Sequence, residues 1–389
     1  MKRSLCALAL LVVASCLFQG WAAGANVKNL RYCDAVQFRK INHGFSDSRT
    51  PFFRLPASVG DTVRKGLKTD AEMSAGIGFR FATNSKAIAV KYTLTLNFKM
   101  SHQAFTGTRG CDLYVLNGKK WQFANCVKPA DTTFQNKMLL SNQDGKMHEY
   151  MLYLPLYDGI KQLEIGIDST AVITQPVVNS PRREKRFVFY GTSILQGGCA
   201  SRPGMVGTSI IQRDLDAECI NLGFSGEGRM DIFMAETMGR IPNVTAFIID
   251  PVPNCTAQRC DTITYDFINT LRKARPDVPI FMVERQKFSY EFFEADGEYN
   301  VMEVNNAFHE NYLKLVAENP RNLYYIDREN LIDPDNEGSV DGAHLTDLGF
   351  YFYALKLEPY LKAVLDGKKV PQSKKVKKHY QLPQKITGK

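Results

Sequence analysis

The chain has 389 residues, of which 44% are hydrophobic, 11% aromatic and 23% charged, and its formal net charge at pH 7 is +9. This composition is typical of a globular protein and excludes a disordered or collagen-like chain, and the length predicts two folded units. The positive charge does not indicate a nucleic-acid-binding face, because the leader and the acid-free stretch after Asp366 carry it. We therefore expect no nucleic-acid partner.

Residues 1–25 have the pattern of a signal peptide. Two basic residues precede an apolar run, residues 5–18, which is too short to span a membrane, and small residues follow it. No later stretch is apolar for long enough, so we expect an exported protein, periplasmic or secreted, without a transmembrane segment. Residues 13–16 are also typical of a lipobox, in which Cys16 would be lipidated and would anchor the protein to the outer membrane; both alternatives stay open.

Residues 26–181 are predicted to form an antiparallel β-sandwich of the jelly-roll kind. The strands are indicated by short runs in which apolar and polar residues alternate, over 87–96, 151–156 and 163–167. Residues 110–114, followed by Asn117-Gly118, predict a strand, a tight turn and a returning strand. We expect the aromatic residues of this hairpin, such as Tyr114 and Trp121, to be packed inside the domain, although exposed rings there would suit sugar binding.

Cysteines indicate neither a metal site nor a required disulfide. Export permits disulfides, and two pairs are close in sequence, Cys111 with Cys126 and Cys255 with Cys260. The sequence contains no C-x-x-C or H-E-x-x-H motif that would indicate zinc. We expect a protein without metal or cofactor.

Residues 182–366 are predicted to form an α/β domain. Short buried strands, predicted at 186–190, 245–249, 279–283 and 323–326, alternate with helix-length stretches such as 262–274 and 301–316. This alternation predicts a parallel sheet with helices on both faces, and ligands bind such sheets at the carboxyl ends of the strands. Residues 367–389 form a lysine-rich tail that we expect to be disordered.

Ser193 follows the first predicted strand of this domain, in the loop Gly191-Thr192-Ser193. A serine where a strand gives way to a helix presents its hydroxyl beside backbone amides that can stabilise an oxyanion. A G-x-S motif alone is weak evidence, because a serine that merely caps a helix is common.

A serine nucleophile needs a base, which is nearly always a histidine oriented by a carboxylate. Of the six histidines, five lie in the β half, in a predicted helix or in the tail: His43, His102, His148, His309 and His379. His344 remains, three residues after Asp341 on a loop before the last helix. This spacing lets the carboxylate reach the imidazole, although D-x-x-H alone is more often a surface loop.

Two further loops hold candidate oxyanion donors. Residues 221–228 are rich in glycine, including Gly226, which allows close approach of the backbone to a ligand. Two prolines stiffen the loop that presents Asn254, whose amide is a donor. The first loop could instead be only a flexible turn. Asn254-Cys255-Thr256 is also a glycosylation sequon, and a glycan attached to Asn254 would prevent its amide from donating to a substrate.

Together, Ser193, the glycine-rich loop, Asn254 and Asp341-x-x-His344 resemble the SGNH hydrolase superfamily. Residues 191–205, 221–226 and 250–254 are similar to the GDSL-like lipase/acylhydrolase subgroup that carries a jelly-roll domain in front, and Gly110-x-Asp-Leu-Tyr matches that domain's G-x-D-L-Y signature. Thr192 departs from the aspartate of many members, and D-x-x-P-N replaces G-x-N-D while keeping the asparagine. The resemblance covers nearly the whole chain between leader and tail.

The resemblance implies a flavodoxin-like SGNH fold and a division of roles. Ser193 would be the nucleophile, His344 the general base and acid, and Asp341 its orienting carboxylate. The Ser193 amide, the Gly226 amide and the Asn254 side chain would form the oxyanion hole. Arg202, close to Ser193 in sequence, would either contact the substrate or anchor its loop.

A carbohydrate esterase is the function that this resemblance favours. Similar proteins remove small acyl groups, often acetyl, from sugars, so an acylated carbohydrate is the expected partner. One alternative is a lipase, thioesterase or acyltransferase on the same scaffold. The other is a non-catalytic glycan-binding surface protein. The oligomeric state stays open.

Overall fold

The computed structural model describes residues 27–59, 63–372 and 381–384. The predicted signal peptide, the alternative lipid anchor at Cys16 and most of the lysine-rich tail lie outside these ranges. Within them, no helix has both the length and the apolar character needed to cross a membrane.

The N-terminal half consists mainly of antiparallel strands. Its strands are Leu30–Asp34 (β1), Arg39–Ile41 (β2), Gly78–Thr83 (β3), Ile88–Leu94 (β4), Asp112–Asn117 (β5), Lys120–Cys126 (β6), Phe134–Leu140 (β7), His148–Tyr153 (β8), Ile160–Asp168 (β9) and Ile173–Thr174 (β10). Its α-helices are Lys65–Glu72 (α1) and Phe105–Thr108 (α2). One sheet has the order β1-β9-β4-β7, and the other has the order β10-β3-β8-β5-β6 with β2 beside β3.

The two antiparallel sheets pack face to face around one apolar core. Phe81 and Leu152 of one sheet belong to the same buried cluster as Val90 and Ile165 of the other. Because side chains alternate between the faces of a strand, every second residue of these strands enters this cluster. The predicted β-sandwich is confirmed, including the β5–β6 hairpin with Gly118 at φ +61° in its turn. Tyr114 is buried, as expected, in a second and smaller cluster with Met151 and Tyr153, and Trp121 is partly buried against that cluster.

The cysteines of the described residues are all free thiols. In the β5–β6 ladder Cys126 pairs with Asp112, while Cys111 pairs through its backbone with Val127. This one-residue offset turns the Cys111 and Cys126 side chains to opposite faces of the sheet. The structure therefore contains neither of the two disulfides that the sequence permits.

The C-terminal half alternates strands with helices. Its strands are Arg182–Gly191 (β11), Ala217–Gly223 (β12), Val244–Asp250 (β13), Ile280–Val283 (β14) and Leu323–Ile326 (β15). Its α-helices are Ser193–Gln196 (α3), Gly207–Leu215 (α4), Ile232–Gly239 (α5), Ala257–Ala274 (α6), Gly297–Glu318 (α7) and Asp347–Leu365 (α8).

These five strands form one parallel sheet in the order β12-β11-β13-β14-β15. Side chains alternate along β11, so that Val188 and Tyr190 pack toward α5, α6 and α7, while Phe187 and Phe189 pack toward α4 and α8. A sheet that is buried on both faces is apolar at nearly every position, which explains the unbroken apolar run of residues 187–190 in β11. The predicted SGNH α/β fold, preceded by a β-sandwich, is confirmed.

The sandwich side of the chain also packs directly on the parallel sheet. Leu156 and Tyr157 belong to the buried cluster beneath α3. Arg54, which is 2% exposed, donates to the carbonyl oxygens of Asn221 at 3.2 Å and Gly223 at 2.6 Å, at the end of β12. The N-terminal half is therefore joined to the part of the sheet that leads into the candidate active site.

Candidate active site

The candidate site lies at the carboxyl ends of three neighbouring strands. β11 lies between β12 and β13, and its last residue, Gly191, is in register with Gly223 on one side and Asp250 on the other. The loops that follow these strands therefore leave the sheet side by side, at the position where the strand order reverses. Gly228 lies so close that a Cβ there would be 1.8 Å from the Gly191 carbonyl oxygen, which only glycine allows.

Ser193 is the first residue of α3. The helix cap is Thr192, whose hydroxyl accepts a hydrogen bond from the Ile194 amide. The Tyr157 hydroxyl, from the N-terminal half, donates to the Ser193 carbonyl oxygen at 3.0 Å. Since Thr192 fulfils the capping role that was the alternative for Ser193, the Ser193 hydroxyl is left to bond elsewhere.

The structure brings Ser193, His344 and Asp341 together in one hydrogen-bonded relay. Ser193 Oγ is 2.9 Å from His344 Nε2, and His344 Nδ1 is 2.7 Å from Asp341 Oδ2. The backbone amides of His344, at 2.8 Å, and Ala343, at 3.1 Å, donate to Asp341 Oδ1. Burial opposes the ionisation of Asp341, but these hydrogen bonds to its carboxylate outweigh burial and lower its pKa.

The loop that carries His344 is held by backbone hydrogen bonds on both sides. Gly342, at φ +86°, makes the turn between Asp341 and the histidine. The Ser289 amide donates to the Gly342 carbonyl oxygen at 2.9 Å, and the Cys199 amide donates to the Leu345 carbonyl oxygen at 2.6 Å. The second bond links the segment after α3 to the histidine loop, and so it ties the two halves of the relay together.

The two candidate oxyanion donors lie on the loops that follow β12 and β13. Gly226, at φ +70°, has open space around the position that a Cβ would occupy. Asn254 is partly buried, and its Nδ2 donates to the Phe224 carbonyl oxygen at 3.3 Å, which leaves its second amide hydrogen for another acceptor. The two donors are thus linked to one another through the loop that begins at Phe224.

Arg202 makes contacts that anchor its loop. It donates to the carboxylate of Asp112 and to the Tyr114 hydroxyl, each at 2.7 Å, and its guanidinium lies 3.7 Å from the centre of the Phe123 ring. Asp112 and Tyr114 are the polar members of the G-x-D-L-Y signature. Of the two roles left open for Arg202, the geometry supports anchoring, and substrate contact stays a prediction.

His102 is a residue near the relay that sequence reasoning placed elsewhere. It belongs to the N-terminal half, yet its ring centre is 5.6 Å from that of His344. Its neighbour Gln103 is buried and donates to the carbonyl oxygens of Gly197 and Ala200, each at 3.0 Å. No sequence motif marks His102, because its position depends on how the two halves dock.

The relay lies near the protein surface. The side chains of His344 and Asp341 are 28% and 37% exposed. A hydroxyl that is hydrogen-bonded to an imidazole, which is in turn oriented by a carboxylate, is the arrangement of a serine nucleophile with its base. His102, Asp341 and His344 are also the one group of the described residues with the donor types and spacing to hold a metal ion.

Two family models match the chain. The GDSL-like lipase/acylhydrolase family matches residues 184–362, and the N-terminal domain of SGNH-hydrolase-type esterases matches residues 30–173. Among curated protein sequences, the chain has no match.

Several solved structures share the fold. A protein of Bacteroides ovatus described as a GDSL-like lipase is 34% identical, with a TM-score of 0.82 over 87% of this chain and 98% of that one. A salicylyl-acyltransferase from a tetracycline biosynthetic pathway is 16% identical, with a TM-score of 0.62 over 88% and 97%. An acetyl xylan esterase from the rumen bacterium Butyrivibrio proteoclasticus is 13% identical, with a TM-score of 0.52 over 87% and 99%. By its family models and its identity to the Bacteroides ovatus protein, the chain belongs to the GDSL-like lipase/acylhydrolase family of SGNH-type esterases.

Proposed function

We propose that the protein is an exported serine esterase that removes short acyl groups, acetyl above all, from carbohydrate. Ser193 is the nucleophile, His344 the general base and acid, and Asp341 the carboxylate that orients the imidazole. The observation that carries the proposal is the continuous relay of 2.9 Å and 2.7 Å from the Ser193 hydroxyl through His344 to Asp341.

In the acylation step, Ser193 Oγ attacks the ester carbonyl carbon while His344 Nε2 takes the hydroxyl proton. Asp341, which accepts from His344 Nδ1, stabilises the imidazolium that forms. The tetrahedral intermediate collapses when the bond to the sugar oxygen breaks, and the same proton passes from His344 to that oxygen. The products are the free sugar hydroxyl and an acyl group on Ser193.

The negative charge on the carbonyl oxygen needs donors that are in place before the reaction. The Ser193 amide is available because the first amides of a helix have no partner within it. The Gly226 amide and the Asn254 side chain are the other two donors in this proposal. In the second step, His344 removes a proton from water while the water oxygen attacks the acyl carbon. The bond from that carbon to Ser193 Oγ then breaks, His344 returns the proton to Oγ, and acetic acid leaves and ionises to acetate.

The exposure of the relay supports an ester on a large alcohol. With His344 and Asp341 28% and 37% exposed, an ester on a polymer reaches Ser193 without the alcohol side having to enter a closed cavity. The acetyl xylan esterase of Butyrivibrio proteoclasticus, which shares both parts of the fold, supports the same substrate class. Export rests on the leader pattern of the sequence alone.

The test is hydrolysis by the purified protein of p-nitrophenyl acetate, p-nitrophenyl dodecanoate and acetylated xylan, with acetate measured directly for the last. We expect turnover of the acetate ester and release of acetate from xylan, both abolished in Ser193→Ala. A fluorophosphonate should label the wild-type chain on the Ser193 peptide. Ser58→Ala, an exposed serine bonded to Arg240, is the matched control and should retain full activity.

Other outcomes would indicate a different function. A preference for the dodecanoate ester would indicate a lipase, and transfer of the acyl group to an added alcohol in preference to water would indicate an acyltransferase. Absence of both turnover and labelling, with the Ser58→Ala and wild-type proteins folded, would contradict a catalytic role for Ser193.

A further inference from the structure

A histidine from the N-terminal half lies beside the catalytic pair. His102, Asp341 and His344 each offer one ligand atom, and these atoms all lie within 4.8 Å of one another. We propose that these three side chains form a Zn²⁺-binding site, and that the bound ion reversibly inhibits the enzyme. The inhibition, though not the binding, rests on the proposed function.

The donor set matches zinc in number and type. Open zinc sites hold the ion with three protein ligands, two imidazoles and a carboxylate being a common combination, and leave the fourth position to water. Zinc–ligand bonds of about 2 Å place tetrahedral ligands about 3.3 Å apart, so these side chains need to approach by at most about 1.5 Å. Mg²⁺ and Ca²⁺ prefer sites made wholly of oxygen atoms and are poor candidates.

Packing of its loop brings His102 to this position. Gln103 is 4% exposed and is bonded to the Gly197 and Ala200 carbonyl oxygens, and Thr106 Oγ1 donates to the Ser201 carbonyl oxygen at 2.5 Å. Gly107 lies against the same segment, where a Cβ would be 2.3 Å from the Ala200 carbonyl oxygen. With the loop fixed, the imidazole needs little ordering to bind an ion, which favours affinity.

Coordination of His344 interrupts the relay through either ring nitrogen. If Nε2 binds zinc, its lone pair is no longer available to take the Ser193 proton. If Nδ1 binds zinc, the 2.7 Å bond to Asp341 is replaced by a bond to the metal, and the orientation set by the carboxylate is lost. No covalent bond forms in the protein, so removal of the ion restores the relay.

Binding is measured apart from activity. Ser193→Ala removes the nucleophile and keeps all three ligands, and it is titrated with ZnCl₂ by isothermal titration calorimetry after EDTA treatment and desalting. We expect one ion to bind at this site, and at least about tenfold weaker binding when His102→Ala is added. His148→Ala is the matched control, because His148 is also a partly exposed histidine bonded to a carboxylate, that of Asp144 at 2.9 Å. It should leave the affinity unchanged, and MgCl₂ should give no binding heat.

Inhibition is measured with p-nitrophenyl acetate, each variant's rate with zinc being divided by its own rate without zinc. Wild type and His148→Ala should lose half their rate at a zinc concentration near the calorimetric Kd and should recover with EDTA. His102→Ala should need at least tenfold more zinc.

Three results would overturn the proposal: no zinc binding to Ser193→Ala, equal sensitivity of His102→Ala and wild type, or bound zinc with undiminished turnover. If the metal-free wild-type protein hydrolyses no ester, the proposed function fails, while calorimetry still decides whether the zinc site exists.

Discussion

Replacing Arg202 by leucine should destabilise the protein in a pH-dependent way. Arg202 donates to Asp112, whose carboxylate is fully buried, and among the described residues the one other donor to that carboxylate is the Gly204 amide at 2.8 Å. Burial, opposed by the Arg202 charge, raises the pKa of Asp112 to about 6. Because this folded-state pKa lies above the unfolded value of 3.8, the folded protein binds the proton more tightly and loses stability as pH rises from about 4 through 6.

The size of this destabilisation follows from the same coupling between proton binding and folding. At pH 8 the ionised wild-type Asp112 costs about 3 kcal/mol relative to the unfolded chain, because the shift is about two pKa units. Without Arg202 the carboxyl must either stay charged and unpaired or take up a proton, and protonation at pH 8 costs about 6 kcal/mol. At pH 5 the group is largely protonated in both proteins, and the difference in this contribution is small. Loss of the contacts with Tyr114 and Phe123 adds about 1 kcal/mol at either pH.

We therefore expect Arg202→Leu to lower the free energy of unfolding by about 1 kcal/mol at pH 5 and by about 3 to 4 kcal/mol at pH 8. Urea unfolding followed by the fluorescence of Trp121, which packs beside Tyr114, measures both values. Arg202→Lys retains the charge and should lose only about 1 kcal/mol. In a protein that also carries Asp112→Asn, the pH-dependent part should disappear. Equal destabilisation at pH 5 and pH 8 would refute the assignment of a buried ion pair.

Three further predictions concern single side chains. Asp341→Asn should lower kcat for p-nitrophenyl acetate about 10³- to 10⁴-fold with little change in KM, because the amide cannot hold His344 in the required tautomer; initial rates decide this. Asn254→Ala should lower kcat about 10²-fold through loss of one oxyanion donor, and an unchanged kcat would remove Asn254 from the hole. Burial, aided by the charge of Lys40, lowers the pKa of His43 from 6.5 to about 4. As the pH drops from 6.5 to 4, the unfolded chain therefore takes up a proton that the folded protein does not, and the free energy of unfolding falls. His43→Gln should flatten this dependence by about 3 kcal/mol in urea titrations over that range.

Strand predictions succeeded where the periodicity is simple. β13, β14 and β15 lie within one residue of the segments predicted from their apolar runs. β12 was not predicted as a strand, because Glu218 and Asn221 interrupt its apolar pattern. Both are buried with partners: Glu218 accepts from Arg186 at 2.8 Å, and the Asn221 amide donates to the Leu195 carbonyl oxygen at 2.8 Å. Single-chain patterns do not reveal such partners, which come from the neighbouring strand and from α3.

The candidate site was predictable to the extent that its members belong to local motifs. Asp341 and His344 are three residues apart on one turn, so their contact follows from local geometry. His102 lies in the predicted β half, and its position beside His344 depends on how a loop of one domain docks on the other, which no sequence motif indicates. The hydrogen bonds that hold its loop run from Gln103 to backbone carbonyl oxygens. Every residue has such an oxygen, so the sequence does not show which one will be the acceptor.

Side chains of the N-terminal half help to hold the loop that carries Ser193. α3 has only four residues, and backbone amides of the loop after it already bond two of the carbonyl oxygens here: Gly197 and Gly198 donate to that of Ser193, and Ala200 donates to that of Gly197. The sandwich side adds side-chain donors: the Tyr157 hydroxyl donates to the Ser193 carbonyl oxygen, and the Gln103 amide donates to those of Gly197 and Ala200. These hydrogen bonds tie the short helix and the loop after it to the neighbouring domain, so the position of Ser193 depends in part on how that domain docks. Asp112 of the G-x-D-L-Y signature acts in the same way a few residues further along the chain, because it accepts hydrogen bonds from Arg202 and from the Gly204 amide. The sandwich therefore holds the segment from Ser193 to Gly204 at several points.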